Sequence, residues 1–366
     1  MPDQIEIGSE RERVEGRVRR WCDRARLDGR RPLLSDAAAI AIAAGRIDET
    51  THTVLAARRR VGKSMPSIGG YSTVRVLTDE RQRWLTKDTR NKPGSALVYK
   101  LRAAELGKRL DHLRTAFVVS PKHYANGVRA VRRERREGLH LDLDQRDALF
   151  DALAHTPVPR QHTANIVERA GLSILDTAAD NVAEASRSTR FEELGNRAST
   201  LMLDLADQRD DAFGDRYETI LFVAGSSVDR VHASPAWRSE HFLVQRTQLD
   251  LTDELTQVAV DVNSLRAIAY ELDGVAAMMF DAATRAQVAS RRAALDSVWT
   301  QLIDRVAALV RVDELVHRAE GELRTMDVIH KAHSLDDRID ALVARAGNRE
   351  ISADNTNFVG DQLRHQ

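Results

Sequence analysis

Arginine is the side chain whose spacing in this sequence offers the clearest chemistry. Arg58, Arg59 and Arg60 are consecutive, and Arg129, Arg132, Arg133, Arg135 and Arg136 crowd into little more than two helical turns. A guanidinium group presents a planar fork of donors that matches phosphate oxygens, and neutralising phosphates releases condensed counterions. These eight arginines are therefore the candidate nucleic-acid contacts. They lie in the most polarised stretch of the chain: from Thr51 to Gly138 there are 21 Lys/Arg against 7 Asp/Glu. Arg81, Arg83, Lys87, Arg90 and Lys92 form a further cluster between them. The same charge also fits a merely solvated face, or one that docks on the acidic half of its own chain.

Other constellations point to chemistry less well. Gly62, Lys63 and Ser64 resemble the end of a phosphate-binding loop, but Ala57 stands where the first glycine belongs, so a helix end is the better reading. His330 and His333 sit one turn apart near Asp336 and Asp337, without the His-Glu-x-x-His or cysteine set of a metal site. His140, Asp142 and Asp144 alternate with leucines and share one face of an extended segment; Asp144 is more simply read as the N-cap of the next helix. Cys22 has no base nearby in sequence, and there is no Gly-x-Ser-x-Gly elbow. The expectation is a non-enzymatic protein with no cofactor, no metal and no catalytic residue.

The elements that must position the arginines follow from composition and pattern. The first 150 residues carry 32 Lys/Arg against 20 Asp/Glu, and the remainder 23 against 35, so a net charge of zero conceals two halves of opposite sign. With 42% hydrophobic, 30% charged and only 5% aromatic residues, the chain is expected to be mainly α. A single cysteine excludes an internal disulfide and fits a cytoplasmic location. No apolar run approaches the ~18 residues needed to cross a bilayer, and the N-terminus lacks the pattern of a secretory signal.

Ser35 to Ala44, a link at Gly45 to Ile47, and Asp48 to Val61 predict two short helices resembling a helix-turn-helix, with Ala41, Gly45 and Val54 at favoured positions and Arg46 and Thr51 departing from the pattern. Tyr71 to Leu77 alternates and is β-branched, which predicts a strand and, with the helices, winged-helix character. Ser95 to Val118 has the period of an amphipathic helix. A further helix is expected from Ser120 to Gly138, carrying the second arginine cluster.

Leu251, Leu255, Val258, Val262, Leu265, Ala269, Leu272, Ala276 and Met279 alternate spacings of four and three, an apolar seam that needs a partner. A second seam, Leu295, Leu302, Leu309, Val316 and Leu323 at sevens, has a companion row interrupted by Arg305. The chain either folds back near Asp281 to Ser290 into an antiparallel hairpin, which is favoured, or pairs with another subunit through Leu251, Leu255, Val258, Val262, Leu265 and Leu272. Ser334 with Asp337 marks a new helix start, a break near His333 and a last helix ending at Gly347.

The expected organisation is a basic helical domain over 1–156, a short-helix segment over 157–234, long helices with heptad seams over 235–347, and a polar tail over 348–366. It implies a DNA-associated protein whose basic module contacts phosphates and whose helical C-terminal module self-associates. The alternative is a protein-interaction scaffold or complex subunit with a helical or acidic partner and no nucleic-acid contact. Neither reading involves a membrane.

Overall fold

The computed structural model describes residues 2–86, 95–160, 211–277 and 282–364. The chain is mainly helical, as expected, and no strand occurs among the described residues. The helices are α1 (Pro2–Arg24), α2 (Asp36–Ala44), α3 (Glu49–Arg60), α4 (Ser72–Thr86), α5 (Ser95–Val118), α6 (Val128–Arg136), α7 (Leu143–Leu153), α8 (Arg216–Ala233), α9 (Pro235–Arg238), α10 (Leu243–Gln248), α11 (Leu251–Ala277) and α12 (Ala282–Arg364). None in the described residues is long and apolar enough to cross a membrane.

Two hydrophobic cores share α2. Ser35 caps this helix by accepting from Ala38 N at 3.1 Å, and Asp229 in turn accepts from Ser35 N at 2.7 Å. Alanines fill the helix so that it can be buried on both sides. Ala38, Ala41 and Ile42 face the first core, whereas Ala39, Ala43 and Ala44 face the second. Gly45 ends the helix at an ordinary φ of −69°. Its value is closeness: a Cβ there would stand 2.6 Å from the carbonyl carbon of Ala259 on α11.

The first core joins α1, α8, α11 and α12 around Val14, Val18, Ile220, Phe222, Leu255, Val262, Ile303 and Val306. α11 and α12 form the antiparallel hairpin: Arg305 reaches back to Glu254 at 2.9 Å and Asp261 at 2.5 Å, and Arg292 to Asp273 at 2.6 Å. Arg305, which interrupts the second seam in sequence, thus clamps the hairpin. Its turn, with Met279, lies outside the described residues. Although α1 lies in the basic half of the sequence, it belongs to this core and docks on α12 with Arg11 paired to Asp304 at 2.7 Å and Arg17 to Glu314. α1 thus shares a core with the C-terminal helices, and most of the expected segment 157–234, namely 161–210, lies outside the described residues.

The second core gathers α3, α4, α5 and α7 on the other face of α2, with Tyr71, Phe117 and Phe150 in successive ring contact at 5.7 and 5.9 Å. α5 spans the range its period implies. The strand and wing expected at Tyr71 to Leu77 are instead the start of α4. Val74, Leu77 and Glu80 are buried at helical spacing, and Asp36 accepts from Tyr71 N at 3.0 Å, so packing overrides β-branched propensity. The helix expected from Ser120 begins only at Val128. Ser120 Oγ bonds His123 Nδ1 at 2.8 Å within a turn that ends at Gly127, whose φ of 92° suits glycine. Asp142, not Asp144, is the N-cap of α7, with Gln145 Oε1 accepting from Asp142 N at 2.9 Å. The break near His333, the stop at Gly347 and the polar tail are replaced by one unbroken helix to Arg364, because a glycine or serine lowers helix propensity without having to end a helix.

Gly45→Ala is expected to destabilise the protein by about 1–3 kcal/mol through overpacking against α11. Gly274→Ala, in an open part of α11 with nothing within 4 Å of the added Cβ, is expected to stabilise by about 0.5–1 kcal/mol. Urea unfolding of the two variants checks both signs.

Candidate nucleic-acid interface

The two arginine clusters meet, and Glu134 is the residue that joins them. On α6 it points away from the other charges and is buried, where it takes the Lys63 ammonium at 2.5 Å and lies 3.9 Å from Arg58 and 3.7 Å from His140. Lys63 follows the end of α3, where Gly62 has φ 70° and Lys63 N donates to Arg58 O at 2.9 Å. The Gly62-Lys63-Ser64 stretch is thus a helix stop whose lysine ties α3 to α6. Burial raises the Glu134 carboxyl, but the Lys63 bond and the charges of Lys63, Arg58 and His140 outweigh it and hold the group below its ordinary value.

Arg58 was expected to contact phosphate, and the structure corrects this. Its side chain is 1% exposed, donating to Leu139 O at 2.9 Å and His123 O at 2.8 Å. Those bonds hold the two chain segments that flank α6. Arg146, also buried, donates to Leu141 O at 2.8 Å and Val118 O at 3.0 Å. Both guanidinium groups lie against the Tyr124 ring, at 5.4 and 3.9 Å from its centroid. Burial lowers both arginines from their ordinary values and, against the two cations, pushes the Tyr124 hydroxyl up to about 12. Two arginines are here consumed as struts under α6.

The outer side of α6 is different. Arg129, Arg132, Arg133, Arg135 and Arg136 are all exposed. Arg129, Arg132, Arg133 and Arg136 have the i, i+3, i+4, i+7 spacing of a single helical stripe, and none of the four bonds a carboxylate among the described residues. Arg136 Nε reaches only the Arg132 carbonyl, at 3.4 Å. Arg135 lies to the side and pairs with Asp142 at 2.7 Å. At the end of α3, Arg59 pairs with Asp250 at 2.5 Å while Arg60 is exposed without a carboxylate. Of the eight expected contacts, Arg60, Arg129, Arg132, Arg133 and Arg136 are thus exposed and bond no carboxylate among the described residues.

The N-terminus of α3 is closed by its own cap. Asp48 accepts from Thr50 Oγ1, from Thr51 Oγ1 at 2.6 Å and from Thr51 N at 2.9 Å, and these bonds hold its carboxyl down to about 2. Leu251, Leu255, Val258, Val262 and Leu265 are buried in the chain's own first core, and Leu272 is half-buried, so this seam is covered from within. Cys22 is buried, which raises its thiol to about 12 and removes it as a nucleophile at neutral pH. Among the described residues no group of three His, Cys, Asp or Glu side chains could hold a metal. The side chains of His330 and His333 lie outside the described set.

Sequence reasoning missed Lys63, Glu134, Tyr124 and Arg146. A signal was present for Glu134, the single acid inside the run Arg132 to Arg136, since a lone opposite charge on a nine-residue helix marks the side that must be anchored.

Arg58→Ala is expected to cost about 3–5 kcal/mol in chemical unfolding, because it leaves the Leu139 and His123 carbonyls without their donor, opens a cavity against Tyr124 and removes one of the cations facing Glu134; Arg133→Ala should stay within ~0.5 kcal/mol. Glu134→Gln should be less stable than the parent at neutral pH. Since the folded carboxyl sits below its unfolded value, that advantage of the parent exists above the unfolded value and is lost as pH falls through the folded one. Urea midpoints of the two proteins are expected to differ at about pH 7 and to converge in acid, below the folded carboxyl's lowered value.

Compared with known protein families, curated proteins and solved structures, the chain matches none.

Proposed function

We propose that this chain is a non-enzymatic, DNA-associated protein that grips backbone phosphates with α6 and self-associates through its C-terminal helices. The observation that carries the reading is the stripe of Arg129, Arg132, Arg133 and Arg136, exposed together and bonded to no carboxylate, on a helix fixed from beneath by Glu134. Phosphate is the partner chemistry because four forked donors on one face match a row of oxygens along a duplex backbone. Contact of this kind positions a protein without reading base sequence.

The helix-turn-helix likeness of α2 and α3 supplies no second contact in this reading. α2 is clamped between two cores, and the Asp48 carboxylate occupies the N-terminus of α3, the end that would approach a groove. A scaffold for a helical protein partner is the second reading. It is favoured by Ile268, Tyr270 and Val275, which expose apolar surface on α11, Tyr270 to 82%.

Gel-shift titration of a random duplex at several salt concentrations separates the two. Binding is expected to weaken steeply with salt, and the variant with Arg129, Arg132, Arg133 and Arg136 all changed to Ala should reduce the log–log salt slope by roughly 3–4. An unchanged slope in that variant, or no binding by the parent at low salt, rejects phosphate contact through α6.

A further inference from the structure

α12 is one unbroken helix, and Gly321, Glu322, Arg324, Thr325 and Met326 along it are exposed. The named bonds tying it to other elements run from Arg292, which meets Asp273, to Glu320, which accepts from Ser234 Oγ at 2.9 Å. The helix then continues to Arg364, about 66 Å further at 1.5 Å per residue.

Along this extension the apolar pattern changes register. Leu302, Leu309 and Val316 are buried against the body, and the same sevenfold row continues through Leu323 to His330 and Asp337, where it turns polar. A new row begins two residues out of step. Val328, Leu335 and Leu342 recur at sevens, with Ala332, Ile339 and Ala346 four residues after each. Two residues are roughly 200° of helix rotation, so the new stripe occupies the side of α12 opposite the one that continues the body-packing row.

We propose that residues 328–346 of α12 pair with the same segment of a second copy of this chain as a parallel, two-stranded coiled coil. The proposal rests on the self-association in the functional reading above and moves its seam from residues 251–272, largely covered by the chain's own core, to the C-terminal part of α12. In heptad terms Ala332, Ile339 and Ala346 take the a positions and Val328, Leu335 and Leu342 the d positions. Ile at a with Leu at d suits two parallel strands.

The flanking charges choose the direction. The g positions hold Lys331, Arg338 and Arg345, all basic, and the acids Asp336 and Glu350 hold e positions. In a parallel pair each g residue faces the e residue five places on in the other chain, so Lys331 meets the partner's Asp336 and Arg345 meets the partner's Glu350. An antiparallel pair sets g against g and opposes the three basic residues to one another. A seam of under three heptads would be marginal as a free peptide, but here nucleation is already met because the segment extends a helix anchored in the body. The dimer would carry two α6 stripes on one particle, so that duplex binding gains from effective concentration.

Sedimentation equilibrium of the full chain tests this. The parent is expected at twice the chain mass of 40.9 kDa at micromolar concentration, and Leu335→Asp with Leu342→Asp should raise the dissociation constant at least ~100-fold while leaving the circular dichroism of the body intact. Lys331→Glu with Arg345→Glu should weaken the dimer, and adding Asp336→Lys with Glu350→Lys should restore it. Restoration is unique to parallel pairing, since antiparallel chains would then oppose Glu to Glu and Lys to Lys. A dimer unmoved by the leucine changes overturns the proposal while self-association itself stands, whereas a monomeric parent overturns both. Failure of the charge reversal to restore the dimer overturns the parallel order.

Discussion

The constraint on which the rest of the structure depends is the thickness of α2. A helix buried on two sides by separate cores must be narrow, and the run of alanines from Ala37 to Ala44, broken only by Ile40 and Ile42, makes it so. Gly45 lets α11 approach until the two backbones touch. Asn263 on α11 completes the junction, donating to Gly45 O at 3.3 Å and accepting from Arg46 Nη1 at 2.9 Å, so an end carbonyl of α2 is not left bare. Because α3 follows after four residues and its far end carries Arg58, the placement of α6 traces back to this contact.

α6 is a helix that its own sequence argues against. Nine residues are too few to hold a helix in water, and arginines three and four apart repel one another. It persists because its single acid, Glu134, is held by Lys63 and Arg58, and because Arg58 and Arg146 brace the loops on either side of it through carbonyl oxygens and the Tyr124 ring. The helix C-terminus offers the repelling charges a small compensation, since cations are favoured there. Phosphate bound to the stripe would relieve the repulsion, which couples ligand binding to the order of α6.

Much of the architecture was legible because apolar spacing carries it. The buried seam at Leu251 to Leu265 follows from alternating fours and threes and α5 from its period, whereas that spacing suited a hairpin with α12 or a second subunit equally and only the tertiary contacts choose the hairpin. Illegible were the places where a tertiary contact outweighs local preference. Tyr71 to Leu77 is β-branched yet helical because its buried positions are spaced for α5 to cover. The arginine clusters were visible as charge, but their fates were not: Arg58 and Arg59 are neighbours, and one is sealed in the interior while the other meets Asp250 at the surface. Charge counting also credited α1 to a basic module, whereas Arg11 and Arg17 are spent on carboxylates of α12. Segregated charge thus serves first to dock the two halves of the chain, and only the remainder is open to a partner.

That division separates what holds α6 in place from what faces the solvent. At physiological ionic strength exposed charges are screened beyond about 8 Å, and exposed ion pairs contribute little to folding. Arg58 and Arg146 are bonded to carbonyl oxygens in the interior, where mobile ions do not reach. The stripe of Arg129, Arg132, Arg133 and Arg136 faces the solvent and feels the full effect of salt. If the stripe grips a polyanion as proposed, ionic strength would weaken that grip over orders of magnitude while α6 stays in place, because the arginines that brace the helix are buried and those of the stripe face the solvent.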